Sequence, residues 1–82
     1  MPKIVAYLNP GCPWARGVVD FLQKHQLEFE YRDIIGNPGD YREMVANSGQ
    51  DSSPCVEIDG EMLVDVGSDE VESWMKERGL ID

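Results

Sequence analysis

Five consecutive apolar residues, Ile4–Leu8, are followed at once by the turn residues Asn9, Pro10 and Gly11, and this pairing constrains the fold of the 82-residue chain more than any other feature. A short, unbroken apolar run that ends at Pro and Gly predicts a strand buried on both faces of its sheet. We therefore expect the first element to be a buried strand that ends in a tight turn.

The segment after this turn predicts a helix from Pro13 to about His25. Proline suits the first helical position, where an N–H group would have no partner within the helix. The apolar residues of the segment fall at i, i+4, i+7 and i+8, a spacing that places them on one helix face. They are Trp14, Val18, Phe21 and Leu22.

Residues 27–32 predict a second strand, because Leu27, Phe29 and Tyr31 alternate with charged residues. A second helix is expected to begin at Pro38, with Asn37 as its N-cap, and to end at Gly49. The buried face of this helix would consist of Tyr41, Met44 and Val45.

A hairpin is predicted around Asp59 and Gly60, which separate the apolar segments Cys55–Ile58 and 62–64. A third helix follows, and Ser68 is expected to cap its N-terminus. The inward face of that helix would hold Val71, Trp74 and Met75.

The predicted order of elements is β-α-β-α-β-β-α over residues 1–82, which fits one small domain. A strand-helix-strand unit implies a parallel pair of strands joined by a right-handed crossover, whereas the hairpin supplies an antiparallel pair. We therefore predict an α/β, thioredoxin-like fold with a mixed four-stranded sheet.

The charge of the chain excludes one class of partner. Seven basic and sixteen acidic side chains give a formal net charge of −9, which repels the phosphate backbone of nucleic acids. The sequence contains neither the apolar segment of a signal peptide nor a stretch of membrane-spanning length. We expect a cytoplasmic monomer that binds neither nucleic acid nor membranes.

Cys12 is the candidate reactive residue, because it follows a strand and a turn and immediately precedes a helix. The positive end of a helix favours the thiolate, which is the attacking species in disulfide exchange, and Arg16 one turn later is expected to add to this effect. The alternative is a small buried apolar residue. The single histidine, His25, is ~20 Å away along the helix, which excludes Cys–His catalysis.

An intrinsic metal site is not expected. Structural zinc is held by four closely spaced ligands, whereas this chain has two cysteines 43 positions apart and one histidine.

Three segments together resemble the glutaredoxin family. Cys12-Pro13-Trp14-Ala15 resembles the family's Cys-Pro-Tyr-Cys active site. Ser52-Ser53-Pro54 is similar to its Thr-Val-Pro segment, in which the proline is cis and faces the reactive cysteine. The segment from Val66 to Glu70 is similar to its Gly-Gly-x-Asp-Asp signature.

This resemblance implies that glutathione is the co-substrate and that the partners are glutathionylated or disulfide-containing proteins. It implies that the backbone of Ser53, beside Pro54, pairs with the cysteinyl part of glutathione. The amides of Ser68 and Asp69, after Gly67, would hold the γ-glutamyl end. Trp14, next to Pro13, keeps an aromatic surface, and its alternative role is that of a core residue. Asn9 and Gln50 stand where the family usually has basic residues near the glycine carboxylate.

Ala15 replaces the second active-site cysteine, so the resemblance implies a monothiol cycle, in which Cys12 takes glutathione from a mixed disulfide and a second glutathione releases it. Two alternatives remain open. Ala15, Asn9 and Gln50 also fit a binding or regulatory module that has lost efficient turnover. Some monothiol relatives carry iron–sulfur clusters as dimers, but they have Cys-Gly-Phe-Ser, and Pro13 argues against that function here.

Cys55 is a candidate second thiol, because it follows the proline expected to face Cys12. It would be either a resolving partner for Cys12 or a residue of the core. Along a strand it shares a side with Glu57, while Val56 and Ile58 share the other. We expect Cys55 to remain reduced and unpaired with Cys12.

Overall fold

The computed structural model describes residues 2–82 and contains the seven elements in the predicted order. They are β1 (Ile4–Leu8), α1 (Pro13–Lys24), β2 (Glu30–Asp33), α2 (Pro38–Ser48), β3 (Cys55–Ile58), β4 (Glu61–Leu63) and α3 (Ser68–Glu77). The four strands form one sheet in the order β2-β1-β3-β4. The prediction of a mixed, thioredoxin-like α/β fold is confirmed.

The central strand β1 is buried along its whole length, as its apolar run predicts. Its side chains alternate between the two faces of the sheet, and each face is covered by helices. Ile4, Ala6 and Leu8 lie in one core cluster with residues of α1 and α3. Val5 and Tyr7 lie in a second cluster, which includes Met44 of α2.

Strand pairing fixes the position of the loop that carries Cys12. β1 is parallel to β2 and antiparallel to β3, and Tyr7 lies opposite Cys55 in the second pair. The C-terminal end of β1 therefore lies beside the N-terminal end of β3. Since Cys12 follows β1 and Pro54 precedes β3, the topology brings these two segments to the same edge of the sheet.

The buried face of α1 differs from the prediction at its first turn. Ala15, Val18 and Leu22 face the core, whereas Trp14 is 69% exposed. Ala15, one residue further on, is rotated by about 100° from Trp14 along the helix and takes the inward position. The expectation that Trp14 is the first core residue of the helix is wrong, and the indole is available at the surface beside Cys12.

The second strand is shorter than predicted and less buried. It begins at Glu30, and Tyr31 is 47% exposed, although Leu27 and Phe29 before the strand are partly buried against the core. The reason is that β2 is an edge strand, with a neighbouring strand on one side only.

The two ends of α2 are capped by the residues predicted from the sequence. The Asn37 side chain accepts hydrogen bonds from the backbone N–H groups of Gly39 and Asp40, and Gly49 ends the helix in the left-handed conformation with φ of 74°. Tyr41 is an exception to the predicted inward face, because it is 38% exposed.

The start of α3 differs from the prediction by one residue. Gly67 is the N-cap and Ser68 is the first helical residue, so the expectation that Ser68 caps the helix is wrong. The Glu70 carboxylate takes over part of the capping, since it accepts a hydrogen bond from the Gly67 N–H at 3.3 Å. None of the helices within residues 2–82 has the length and apolar character needed to span a bilayer.

Candidate active site

The turn before α1 is held by Asn9. Its side-chain Oδ1 accepts a hydrogen bond from the Gly11 N–H at 2.9 Å, and its backbone C=O accepts one from the Cys12 N–H at 2.9 Å. These bonds fold the Asn9-Pro10-Gly11 segment back on itself and present Cys12 at the start of the helix. Both oxygen atoms of Asn9 therefore stabilise the turn through hydrogen bonds.

Cys12 is the N-cap residue of α1. Its C=O accepts hydrogen bonds from the N–H groups of Ala15 and Arg16, while its side chain makes no capping hydrogen bond. The half-buried thiol packs against the core cluster beneath α1. A sulfur anion at this place lies at the positive end of the helix dipole, which is favourable for thiol–disulfide chemistry.

A cleft of about 210 Å³ borders the first turn of α1. It is lined by Trp14, Ser53, Pro54, Asp65, Val66, Gly67 and Glu70. Four of the residues predicted to contact glutathione are thus brought together, namely Trp14, Ser53, Pro54 and Gly67. Trp14 is two residues after Cys12, so the cleft borders the first turn of the helix whose N-cap is Cys12.

Ser53 and Pro54 form one wall of this cleft. The peptide bond between them is cis, as the sequence comparison with the family implied. Within residues 2–82 the N–H and C=O of Ser53 have no hydrogen-bond partner, whereas the C=O of Pro54 accepts a bond from the Val66 N–H at 2.9 Å. The free Ser53 groups are able to pair with an extended backbone, as in the addition of a strand to a sheet edge.

Trp14 and Gly67 form the opposite wall. A β-carbon placed on Gly67 would come within 3.2 Å of the indole Cε3 of Trp14, which shows that the ring lies directly against the glycine backbone. The indole is therefore supported from below while it remains largely exposed.

At the start of α3 the side chains of Ser68 and Asp69 point in different directions. The Ser68 hydroxyl points toward α1, where a β-carbon on Gly17 would lie 3.8 Å from it. Asp69 is exposed and lines the outer side of α3 together with Ser73 and Trp74. The backbone N–H groups of Ser68 and Asp69, at the first two positions of the helix, have no acceptor within residues 2–82.

Gln50 is not part of the cleft. Its side-chain amide donates hydrogen bonds to Ser48 Oγ (2.9 Å), the Ser52 C=O (3.1 Å) and Cys55 Sγ (3.3 Å). Its Oε1 accepts a bond from the Ser52 N–H at 2.6 Å. Gln50 therefore cross-links the loop between α2 and β3 and covers the Cys55 thiol.

Cys55 lies on the other side of the sheet from Cys12. It is fully buried in the cluster that faces α2, where its thiol donates a hydrogen bond to the Ser52 C=O at 3.1 Å. Cys12 packs against the cluster formed with α1 and α3. The two thiols, both free, are thus separated by the sheet, and Cys55 has no exposed surface.

Arg16 does not extend toward the cleft. It is exposed and lines a separate hollow between α1 and β2, with Asp20 and Tyr31. The expectation that Arg16 assists Cys12 has no support in this placement.

A larger hollow of about 480 Å³ runs along α2, lined by Tyr41, Arg42, Val45, Ala46, Gln50 and Asp51, and it contains no thiol.

Two carboxylates that line the cleft, Asp65 and Glu70, are absent from the sequence-based set of site residues. The spacing of Gly67 and Glu70, a cap followed three residues later by Glu, is the signal that identifies Glu70. Asp65 has no comparable signal in the sequence. It lies in the loop before α3 with a positive φ of 54°. Within residues 2–82 no group of three His, Cys, Asp or Glu side chains is arranged to hold a metal ion.

Comparison with known proteins supports one family. A family model described as glutaredoxin matches residues 4–64, which include Cys12, Ser53 and Pro54. A curated glutaredoxin-like 8.6 kDa protein in the rubredoxin operon of Clostridium pasteurianum is similar over 73 residues, with 25% identity. This match covers 89% of the present chain and 97% of that protein.

Solved structures show the same fold. The thioredoxin-like protein BC3987 is 25% identical and superposes with a TM-score of 0.78, covering 87% of this chain and 97% of that one. The glutaredoxin of Archaeoglobus fulgidus, at 18% identity, superposes with a TM-score of 0.73 over 89% of this chain and 85% of that one.

Proposed function

The chain belongs to the glutaredoxin family, and from this premise we propose that it is a glutathione-dependent thiol–disulfide oxidoreductase that acts through Cys12 alone. The observation that carries the proposal is the position of Cys12, a half-buried thiol at a helix N-terminus beside a cleft with a free backbone edge. Ala15 at the buried position three residues later and Cys55 behind the sheet leave Cys12 without a neighbouring thiol.

The proposed cycle has two exchange steps. The Cys12 thiolate attacks the glutathione sulfur of a mixed disulfide, and the substrate protein leaves as a thiolate that takes a proton from water. A second glutathione, as its thiolate, then attacks the glutathione sulfur bound to Cys12. Glutathione disulfide leaves, and Cys12 is again a thiolate. Each turnover therefore oxidises the sulfur of one reduced glutathione to the disulfide level as the sulfur of the substrate protein is reduced to a thiol.

Contacts for the tripeptide are proposed along the cleft. The free N–H and C=O of Ser53 would pair with the cysteinyl backbone beside Pro54, and the unpaired amides of Ser68 and Asp69 would attract the γ-glutamyl carboxylate. Asn9 and Gln50 are engaged in their own loops, so we assign no charge-assisted contact to the glycine carboxylate. We therefore expect glutathione to bind more weakly than in relatives that have basic residues at these two positions.

The proposal also bears on location. A monothiol cycle consumes reduced glutathione, and the buried Cys55 is free, so we place the protein in a reducing compartment such as the cytoplasm.

Turnover of a glutathionylated peptide tests the function, with purified protein, reduced glutathione and a coupled assay for glutathione disulfide. We expect saturable turnover with wild type and Cys55→Ser and none above background with Cys12→Ser.

Other outcomes separate the alternatives. Turnover that survives in Cys12→Ser would contradict the assignment of the nucleophile. Absence of turnover in wild type, with retained binding of glutathionylated peptide, would favour a binding or regulatory module.

A further inference from the structure

Gln50 holds the backbone of the residue that precedes Ser53. Its Oε1 accepts a hydrogen bond from the Ser52 N–H at 2.6 Å, and its Nε2 donates one to the Ser52 C=O at 3.1 Å. One side-chain amide thus engages both backbone groups of Ser52, as the peptide group of a neighbouring strand would. The Ser52 C=O also accepts a bond from the Cys55 thiol at 3.1 Å, so its two lone pairs are both used.

The Gln50 side chain is itself anchored on two sides. Its Nε2 donates a hydrogen bond to Ser48 Oγ at 2.9 Å and lies 3.3 Å from Cys55 Sγ. Ser48 is the last residue of α2, and Cys55 is the first residue of β3. Gln50 therefore connects the end of the helix to the start of the strand, and the loop between them cannot shift without breaking these bonds.

The backbone after Ser53 is fixed as well. Pro54 is buried, and its C=O accepts a hydrogen bond from the Val66 N–H at 2.9 Å. Among residues 52–54, only Ser53 has an N–H and a C=O that no group within residues 2–82 engages. The loop thus closes off one residue and presents the next, which restricts an incoming backbone to one register.

From these contacts we propose that Gln50 is a positioning residue for the exchange at Cys12. By holding Ser52, it fixes the N–H and C=O of Ser53 where the backbone of a cysteinyl substrate pairs with them. The inference rests on the proposed function of Cys12. Because Gln50 does not line the cleft, its effect is confined to substrates that have a peptide backbone at the reacting cysteine.

Two uncharged symmetric disulfides separate this backbone contact from the chemistry of the thiol. One is the disulfide of N-acetylcysteine methylamide, which has an amide on each side of the reacting cysteine, and the other is hydroxyethyl disulfide, which has none. In each reaction the Cys12 thiolate forms a bond to one sulfur, the disulfide bond breaks, and the other half leaves as a thiolate that takes a proton from water.

The gain in intact mass of the reduced protein follows this single step without glutathione. Each rate is divided by the rate of free N-acetylcysteine methylamide with the same disulfide, which removes the difference in reactivity between the two disulfides. We expect the normalised rate of wild type to be about tenfold higher with the cysteinyl disulfide, through the two hydrogen bonds to Ser53.

Gln50→Met keeps the length of the side chain and removes its hydrogen bonds. Because Ser52 is exposed, water can solvate the backbone groups that are released, and we expect the variant to fold. The preference for the cysteinyl disulfide should fall about three- to fivefold, whereas the rate with hydroxyethyl disulfide should stay within about twofold of wild type. A role in stability alone would lower neither rate selectively.

Asn37→Ala is the control for a general loss of stability. Asn37 caps α2 through two hydrogen bonds and does not line the cleft, so its replacement weakens the fold without touching Ser52 or Ser53. The preference for the cysteinyl disulfide should remain about tenfold in this variant, as in wild type.

Three results would overturn the inference. They are equal normalised rates of wild type with the two disulfides, a preference unchanged in Gln50→Met, and an equal fall of the preference in Asn37→Ala. Each of these leaves Cys12 as a reactive thiol and removes only the role of Gln50. A wild-type protein that reacts with neither disulfide would instead contradict the proposed function of Cys12, and this inference with it.

Discussion

The indole of Trp14 lies against the backbone of Gly67, and a β-carbon at position 67 would approach its Cε3 to 3.2 Å. This contact joins the first turn of α1, which carries Cys12, to the N-terminus of α3. It explains why a large aromatic side chain that is mostly exposed still forms a defined wall of the cleft. The absence of a side chain at Gly67 is what permits it.

Replacing Gly67 with alanine should therefore disturb the cleft more than the fold. The φ of Gly67 is −101°, which alanine adopts without strain, and the exposed indole is free to move outward. We expect the free energy of unfolding to change by less than about 1 kcal/mol. Because Trp14 would lose its position, the second-order rate of Cys12 with glutathione disulfide should fall about three- to tenfold.

Gly17→Ala is the matched control for this variant. Gly17 lies in the middle of α1, and the new methyl group would meet Ser68 Oγ at an ordinary contact distance of 3.8 Å. Alanine is the better helix former, so the free energy of unfolding should rise by about 0.5–1 kcal/mol, with the Cys12 rate unchanged. A rate equal to wild type in Gly67→Ala would contradict the role assigned to the Trp14–Gly67 contact.

Gln50→Ala should loosen the loop that covers Cys55. The side chain contributes hydrogen bonds to Ser48, Ser52 and Cys55, and we expect a loss of about 1–2 kcal/mol in the free energy of unfolding. The more specific result is faster alkylation of Cys55 by iodoacetamide under native conditions, since its cover is removed. Peptide mapping by mass spectrometry distinguishes Cys55 from Cys12.

The control for this experiment is Gln23→Ala, which makes the same change on the exposed side of α1. In this control, as in wild type, Cys12 should react rapidly and Cys55 only upon unfolding. Equal protection of Cys55 in Gln50→Ala and Gln23→Ala would show that Gln50 does not cover the thiol.

Tyr7 provides a test at high pH. Burial, reinforced by the hydrogen bond that its hydroxyl donates to Glu43 at 2.6 Å, raises the pKa of Tyr7 to about 12. In the unfolded chain a tyrosine loses its proton near pH 10. The stabilisation from the neutral phenol is therefore complete below pH 10 and is lost as the pH rises toward 12.

Comparison of wild type with Tyr7→Phe isolates this effect. The difference in their free energies of unfolding should be constant up to about pH 9 and then shift against wild type by about 2–3 kcal/mol by pH 12. A difference spectrum of the two proteins at 295 nm should place the ionisation of Tyr7 near pH 12. An ionisation midpoint near pH 10 would contradict the buried hydrogen bond to Glu43.

The order of elements was predictable because each depends on a local signal. The apolar run at Ile4–Leu8, the Asn37 cap and the Asp59-Gly60 turn each specify a strand, a helix start or a hairpin through their own chemistry. The position of Cys12 at the start of α1 followed from the same kind of signal.

The sequence-based predictions of side-chain burial failed where contacts between distant elements determine which way a residue faces. Trp14 fits the helical periodicity of the core face, yet the sheet lies beneath Ala15, and no pattern within α1 reveals this rotation. Tyr31 alternates correctly for a buried face but lies on an edge strand, a fact set by the strand order. Gln50 has no sequence signal for its inward orientation, because its partners are defined only by the conformation of the loop.

The proposed function depends most on Cys12 acting alone, and the covalent intermediate tests this directly. The reduced protein is mixed with glutathione disulfide, quenched in acid and analysed by intact mass and peptide mapping. We predict one glutathionyl group on Cys12, removed by reduced glutathione, with Cys55 still a free thiol. A dominant Cys12–Cys55 disulfide, or a glutathionyl group on Cys55, would contradict the proposal that Cys12 acts alone.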